Sequence, residues 1–125
     1  MYPSYLSTCS QLSNLEICNQ IHYFNQTTDH FNHNNKNTFK QKYIYYEPEN
    51  CCQNDGLLLY TGNQGSIDFF CQHYDFQIDL AKKHGWGVLY IEHRYYGESI
   101  VDEKYDYLSI DQVLADYVNI LREGL

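Results

Sequence analysis

The chain has 125 residues, enough for one small domain or part of a larger one. Eight Lys and Arg against sixteen Asp and Glu give a formal charge of −8, which argues against a nucleic-acid partner, because that needs a basic footprint. Aromatic residues at 17% are too many for a disordered chain, and no run of about 18 apolar residues offers a membrane span.

Apolar residues concentrate after Asp55, and the first fifty residues are rich in Asn and Gln. Residues 1–22 show no firm periodicity and read as a poorly defined N-terminal segment, with 23–125 as the folded unit. Met1 to Asn19 has neither a basic n-region nor a continuous apolar stretch, so no signal peptide is visible. Asn25-Gln26-Thr27 is a glycosylation sequon, meaningful in a secreted chain. His30 and His33, within Asp29-His30-Phe31-Asn32-His33, suggest a metal site, but no second cluster supplies further ligands, and the segment reads as a polar turn. No metal or other cofactor is expected. Asn32 to Asn37 is a loop.

In Phe39 to Tyr46, Phe39, Gln41, Tyr43 and Tyr45 alternate onto one side, the pattern of a half-buried strand that Pro48 and Glu49 to Gly56 then break. The five cysteines, Cys9, Cys18, Cys51, Cys52 and Cys71, contain no C-x-x-C spacing. Their odd number leaves one thiol without an internal partner. That fits a piece whose other half holds a further cysteine, and equally a reduced cytosolic protein. The adjacent Cys51 and Cys52 point to distant partners or free thiols rather than to each other.

Leu57 to Tyr60 is a short apolar run ending in Gly62-Asn63-Gln64-Gly65, as expected of a strand buried on both faces of a parallel sheet. Ile67 to His84 reads as one helix, with Gly85 in the left-handed position beyond its end. Gly87 to Ile91 is a second buried strand, followed by Glu92-His93-Arg94-Tyr95-Tyr96-Gly97-Glu98-Ser99. Ser109-Ile110-Asp111-Gln112 has the form of a capping box. Beyond it, Ile110, Val113, Leu114, Tyr117, Val118 and Leu121 mark one helical face, with Gly124 placed as a C-cap. Strand, helix, strand and helix give a βαβα unit of a mostly parallel, α/β sheet. A further parallel strand is expected next, so the chain reads as interrupted.

In such sheets, sites form beyond the carboxyl ends of the strands. There the Gly62–Gly65 turn can present amides to an oxyanion, or be an ordinary βα turn. In the second loop a Glu92–Arg94 pair can brace the backbone, and His93 is either a general base or a hydrogen-bonded structural histidine. No G-x-S-x-G elbow is present, and Gly97-Glu98-Ser99 lacks the second glycine, so Ser99 is not expected to be a nucleophile. Cys71 and His73 are two apart on a predicted helix and do not face each other as a catalytic pair.

Taken together, several strings resemble one family. They are Asp29-His30-Phe31, Thr38 to Tyr43, Gly62 to Gly65, Phe70-Cys71, the EHRYYGES string Glu92 to Ser99, and Tyr107 to Asp116 (YLSIDQVLAD). Their order is similar to that of lysosomal prolyl carboxypeptidase, dipeptidyl peptidase II and thymus-specific serine protease, over about Tyr23 to Leu121. The resemblance implies the N-terminal part of an α/β-hydrolase fold that stops before the nucleophile elbow. It implies a serine exopeptidase that cleaves short peptides beside proline through an acyl-enzyme, in a lysosomal or secreted setting. The family's serine lies in a G-G-S-Y-G-G elbow after the helix matching Ser109 to Glu123, and its Asp and His lie further on, so no catalytic residue is assigned here. Gly62, Asn63 and Gln64 match the loop bordering the catalytic centre. Cys71 matches a cysteine expected to bond to a downstream partner. A peptide is the expected substrate, and relatives form homodimers. Gln64 stands where the family usually has Glu, and Ile100-Val101-Asp102 where it usually has proline. Two readings follow: a peptidase piece inactive by itself, or a non-catalytic binding module that keeps the family surface.

Overall fold

The computed structural model describes residues 11–49 and 56–125; Cys9, Cys51 and Cys52 lie outside them. Four strands form one sheet in the order β1-β2-β4-β3. β1 (Ile21–Thr27) and β2 (Thr38–Tyr46) make a hairpin, β2 pairs antiparallel with β4 (Gly87–Ile91), and β3 (Leu57–Thr61) pairs parallel with β4. The parallel β3–β4 pair matches the βαβ reading. The sheet as a whole is mixed rather than mostly parallel, because the polar N-terminal half contributes a hairpin whose inner strand runs against β4.

Helices cover both faces. On one side α1 (Asn14–Cys18), α2 (Ile67–His73) and α3 (Phe76–His84) pack Ile17, Ile67, Cys71, Ile78 and Ala81 against Ile44, Val88 and Tyr90. On the other, α4 (Ile110–Asn119) and a π-helical turn (Ile120–Gly124) pack Val113, Tyr117 and Ile120 against Tyr43, Leu89 and Ile91. β4 is therefore buried at every position.

Several expectations are corrected. The segment 1–22, in its described part, holds α1, which starts from a complete Ser13–Glu16 capping box, and the first residues of β1. β3 is an edge strand among the described residues, with Leu57 and Leu59 more than a third exposed, because β4 alone pairs with it. The predicted helix over Ile67 to His84 breaks at Tyr74, whose φ of −130° and ψ of 92° are extended. The break lets Ile67 and Cys71 on one segment and Ile78 and Ala81 on the next reach the same core. Gly85 takes the left-handed C-cap with φ 71° as the pattern requires.

The last helix also differs. Ser109 accepts from the Gln112 amide, but the Gln112 side chain does not reach back. It donates instead to Asp29 Oδ1 at 2.8 Å and accepts from the His30 amide at 3.0 Å. Gly124 closes the π turn rather than capping in the left-handed region, and its carbonyl accepts from the Tyr43 hydroxyl at 2.9 Å. The apolar face is rotated. Val113 and Tyr117 are buried together with Gln112 and Asp116, while Ile110, Leu114, Val118 and Leu121 form an exposed stripe.

Candidate functional site

Both loops singled out by their sequence leave the carboxyl ends of neighbouring strands. Gly62 sits against the end of β4: its amide donates to the Ile91 carbonyl at 2.9 Å, and a Cβ there would lie 2.7 Å from that oxygen. The Gly65 amide donates to the Asn63 carbonyl at 2.9 Å, closing the turn. Among the described residues, nothing accepts from the amides of Asn63 and Gln64, and both residues are exposed. The Asn63 side chain turns back to the Tyr60 hydroxyl at 3.2 Å. Gly62 is thus excluded as a donor to a ligand, and Asn63 and Gln64 are the two free amides.

Glu92 fastens this turn to the second loop. The side chain is fully buried; Oε2 accepts from the Ile67 amide at 3.0 Å, and Oε1 accepts from the Glu98 amide at 2.9 Å and the Ser99 hydroxyl at 2.7 Å. Three donors satisfy a buried carboxylate without a cation beside it. Gly97 makes the approach feasible: its φ is +57°, and a Cβ would stand 2.0 Å from Glu92 Oε2. Tyr95 holds φ 75°, an uncommon value for a side-chain-bearing residue. It is kept there by its amide's bond to the Ser99 carbonyl at 2.7 Å and by its hydroxyl, which accepts from the Tyr107 amide at 3.0 Å.

The expected Glu92–Arg94 pair does not form. Glu92 serves α2 on one face of the sheet, whereas Arg94 turns to α4 on the other. Arg94 is fully buried and donates from Nε and Nη2 to the two oxygens of Asp116, both at 2.7 Å. Its remaining hydrogens go to the carbonyls of Thr27, Thr28 and Tyr107 at 2.8–3.0 Å, and its guanidinium lies 5.1 Å from the Phe39 ring centre. His30 Nε2 lies 2.7 Å from Asp116 Oδ1, so His30 braces this network. Gln26 and Gln41, both fully buried, complete it: Gln26 donates to the Asp116 carbonyl at 3.1 Å, and Gln41 to the Glu92 carbonyl at 2.8 Å.

A second ion cluster holds the same loops from the other face. Lys42, nearly buried, donates to Asp68 Oδ2 at 2.8 Å and to Glu98 Oε2. Burial by itself would lower the ammonium, but hydrogen bonds and charge from Asp68 and Glu98 outweigh it and raise the group above an ordinary lysine. The hydrogen bond from Lys42, then its charge, holds Glu98 below the usual carboxylate range. Lys42, Asp68 and Asp116 were not legible as site residues. Lys42 occupies the side of a strand that alternation assigns to solvent, and Asp116 lies in the middle of an apolar helix pattern.

His93 is half-buried at the mouth of a cavity of about 270 Å³ formed with Leu108, Ser109, Ile110, Val113 and Leu114. Its Nδ1 donates to the Arg94 carbonyl at 2.7 Å, which leaves Nε2 with the lone pair in the neutral ring. Among the described residues no hydroxyl or thiol is hydrogen-bonded to its ring: Ser109, on the same cavity wall, accepts from the Gln112 amide at 3.3 Å as the cap of α4, and the Ser99 hydroxyl is buried and held between Glu92 and the Lys42 amide at 2.9 Å. Cys71 forms a disulfide with Cys18, which lies upstream, not with a downstream partner; their Cα atoms are 5.8 Å apart, across the α1–α2 contact. That bond also removes Cys71 as a thiol nucleophile, and His73 stacks on Phe69 with ring centres 4.1 Å apart. Asn25 is exposed on β1. The sequence placed these pieces at strand ends; Glu92 at the end of β4 joins the two loops, and Asp68 of α2 and Asp116 of α4 supply the carboxylates that pair Lys42 and Arg94.

Residues 26–123 match the family described as serine carboxypeptidase S28. The chain belongs to this family. It is 38% identical over 112 residues to lysosomal Pro-X carboxypeptidase from Bos taurus, covering 82% of this chain and 22% of that protein. The human protein of the same name is 34% identical over 108 residues, covering 80% of this chain and 22% of that protein. Prolyl carboxy peptidase like protein 5 of Caenorhabditis elegans is 41% identical over 69 residues, covering 49% of this chain and 14% of that protein. The chain thus spans about a fifth of the length of the two Pro-X carboxypeptidases and matches 14% of the third protein. The matched region contains the Gly62–Gly65 turn, the Glu92–Ser99 loop and Asp116, so the two loops and the Arg94–Asp116 pair lie within the S28 part of the chain.

Proposed function

We propose that this chain forms the oxyanion-side wall of a serine exopeptidase of α/β-hydrolase fold, one that cleaves short peptides beside proline through an acyl-enzyme. The observation that carries the reading is the Gly62–Gly65 turn. Gly62 is spent on the end of β4, and the adjacent Asn63 and Gln64 amides are exposed and unspent. In α/β-hydrolases one oxyanion donor comes from the loop after the third strand, and donors fixed in advance stabilise the developing charge without reorganising. Membership of the S28 family and the names of the relatives support the substrate class and a lysosomal setting. The exposure of Asn25 supports its use as a glycan site. A self-paired assembly of the whole protein is part of the proposal; nucleic acid and membrane are not.

The serine, aspartate and histidine of a triad are not assigned to these residues, so the 125-residue chain by itself is inactive. Incubating it with a fluorophosphonate probe tests this: no serine becomes labelled, and a labelled serine overturns the reading. In a product of the same gene that also carries a G-x-S-x-G elbow, Asn63→Pro or Gln64→Pro removes one amide donor. The expected loss is about 10²–10³-fold in kcat with KM little changed; unchanged kcat in both variants removes the oxyanion assignment.

A further inference from the structure

A second concavity, of about 720 Å³, opens beside the β1–β2 hairpin and the carboxyl half of α4, away from the Gly62 turn. Its wall includes Asp29, His33, Lys36 and Arg122 with several asparagines. Several side-chain acceptors on this wall are already used. Asp29 Oδ1 takes the Gln112 side chain and the Phe31 amide, at 2.8 and 3.0 Å. Asn32 Oδ1 takes the Asn34 amide, and Asn35 Oδ1 the Asn37 amide, both at 3.0 Å. The ring of His30 is held by Asp116. The side-chain donors are not used: among the described residues, the side chains of Lys36, His33 and Arg122 make no hydrogen bond or ion pair.

Lys36 and Arg122, like Lys40, Lys82 and Lys104, form no ion pair among the described residues, but these two line one cavity together, in a chain of net charge −8 with eight Lys and Arg. In such a chain carboxylates to pair with are plentiful, and the buried cations Lys42 and Arg94 have them. The backbones that carry the free pair are anchored. The Lys36 loop is held by the Asn35 side chain on the Tyr107 hydroxyl at 3.2 Å and by the Thr28 amide on the Asn37 carbonyl at 3.0 Å. Arg122 stands on the π turn, between fully buried Ile120 and the anchored Gly124 carbonyl.

We propose that this cavity binds a tetrahedral dianionic oxyanion, phosphate or a phosphate monoester, between Arg122 and Lys36, with His33 and the Asn32 amide group as further donors. A guanidinium and an ammonium from separate elements match several oxygens of a phosphate better than the two of a carboxylate. A dianion also outweighs the single lining carboxylate, Asp29. The cavity is larger than a bare phosphate, so the ester carrying a sugar-sized group is the better filler. The site does not depend on the peptidase reading.

The test is a ¹⁵N–¹H NMR titration of the 125-residue chain with inorganic phosphate, glucose 6-phosphate and glucose, at constant ionic strength. Phosphate and its ester should give saturable shifts confined to residues 30–38 and 115–122, and glucose none. Tighter binding of the ester identifies esters as the source, and equal binding the free ion; both support the site. Arg122→Gln and Lys36→Gln should each weaken binding roughly tenfold, the scale of one charge-assisted hydrogen bond. Both positions are exposed, so the remaining spectrum should be unchanged. Absence of saturation, affinity in both variants unchanged from the parent chain, or equal shifts around Lys82 and Lys83 overturns the proposal.

Discussion

Replacing Asp116 by Ala removes the counter-charge of a guanidinium that has no exposure at all. Two charge-assisted bonds of 2.7 Å from Arg94 and one from His30 are lost together. The carbonyls of Thr27, Thr28 and Tyr107 still accept from Arg94, but they carry no net charge. Breaking a buried pair from one side costs about 3–5 kcal/mol. A domain of this size holds only about 5–15 kcal/mol in all, so the variant should be near the edge of folding. Urea unfolding followed by the fluorescence of Trp86, the one tryptophan, reads the loss directly. A double-mutant cycle with Arg94→Met should return a coupling of about 2–3 kcal/mol. Because the pair is dry, high salt should change this coupling little. A loss below about 1 kcal/mol with no coupling would show that Arg94 is held by its backbone carbonyls, and the reasoning would fail.

Three further outcomes follow from the same geometry. Gly97→Ala places a methyl inside the Glu92 carboxylate at a φ of +57°, and should lower stability by at least about 2 kcal/mol, read as a lower urea midpoint. The disulfide joins residues 53 apart in sequence; reducing it should cost about 4 kcal/mol by loop entropy, seen as a drop in the urea midpoint with dithiothreitol that Cys18→Ser/Cys71→Ser does not show. Glu98 has its folded pKa depressed, chiefly by the Lys42 hydrogen bond, so its contribution is present above the ordinary glutamate value of 4.5 and fades as pH falls below that. Lys42→Met should remove that part of the acid-side slope in stability measured from pH 6 to 3, and an unchanged slope would sink the assignment.

The buried strand β4 was legible because its chemistry is uniform, whereas the equally apolar β3 lies at an edge among the described residues. Val88, Leu89, Tyr90 and Ile91 are apolar in succession, and β4 is covered on both faces. Ser109 was legible as a cap because its partner amide is three residues away. The partners of Glu92 and Arg94 were not. Adjacency suggested that they pair with each other, whereas the sheet separates them onto opposite faces, where residues 25 positions back and 22 positions on take over. Gln112 misled for a similar reason: its spacing suits a capping box, but a carboxylate and an amide from the β1–β2 connection compete for its side chain. Lys42 reads as a solvent-facing strand residue until Asp68 and Glu98 are brought over it.

The central claim is that the two strand-end loops form one fixed wall from which the Asn63 and Gln64 amides point outward. Residue-resolved amide hydrogen exchange of the intact chain tests it most directly. The account predicts slow exchange at Gly62, Ile67 and Glu98, whose amides are bound to Ile91 or Glu92, and fast exchange at Asn63 and Gln64. Protection of Asn63 and Gln64, or fast exchange at Gly62 and Ile67, would contradict it.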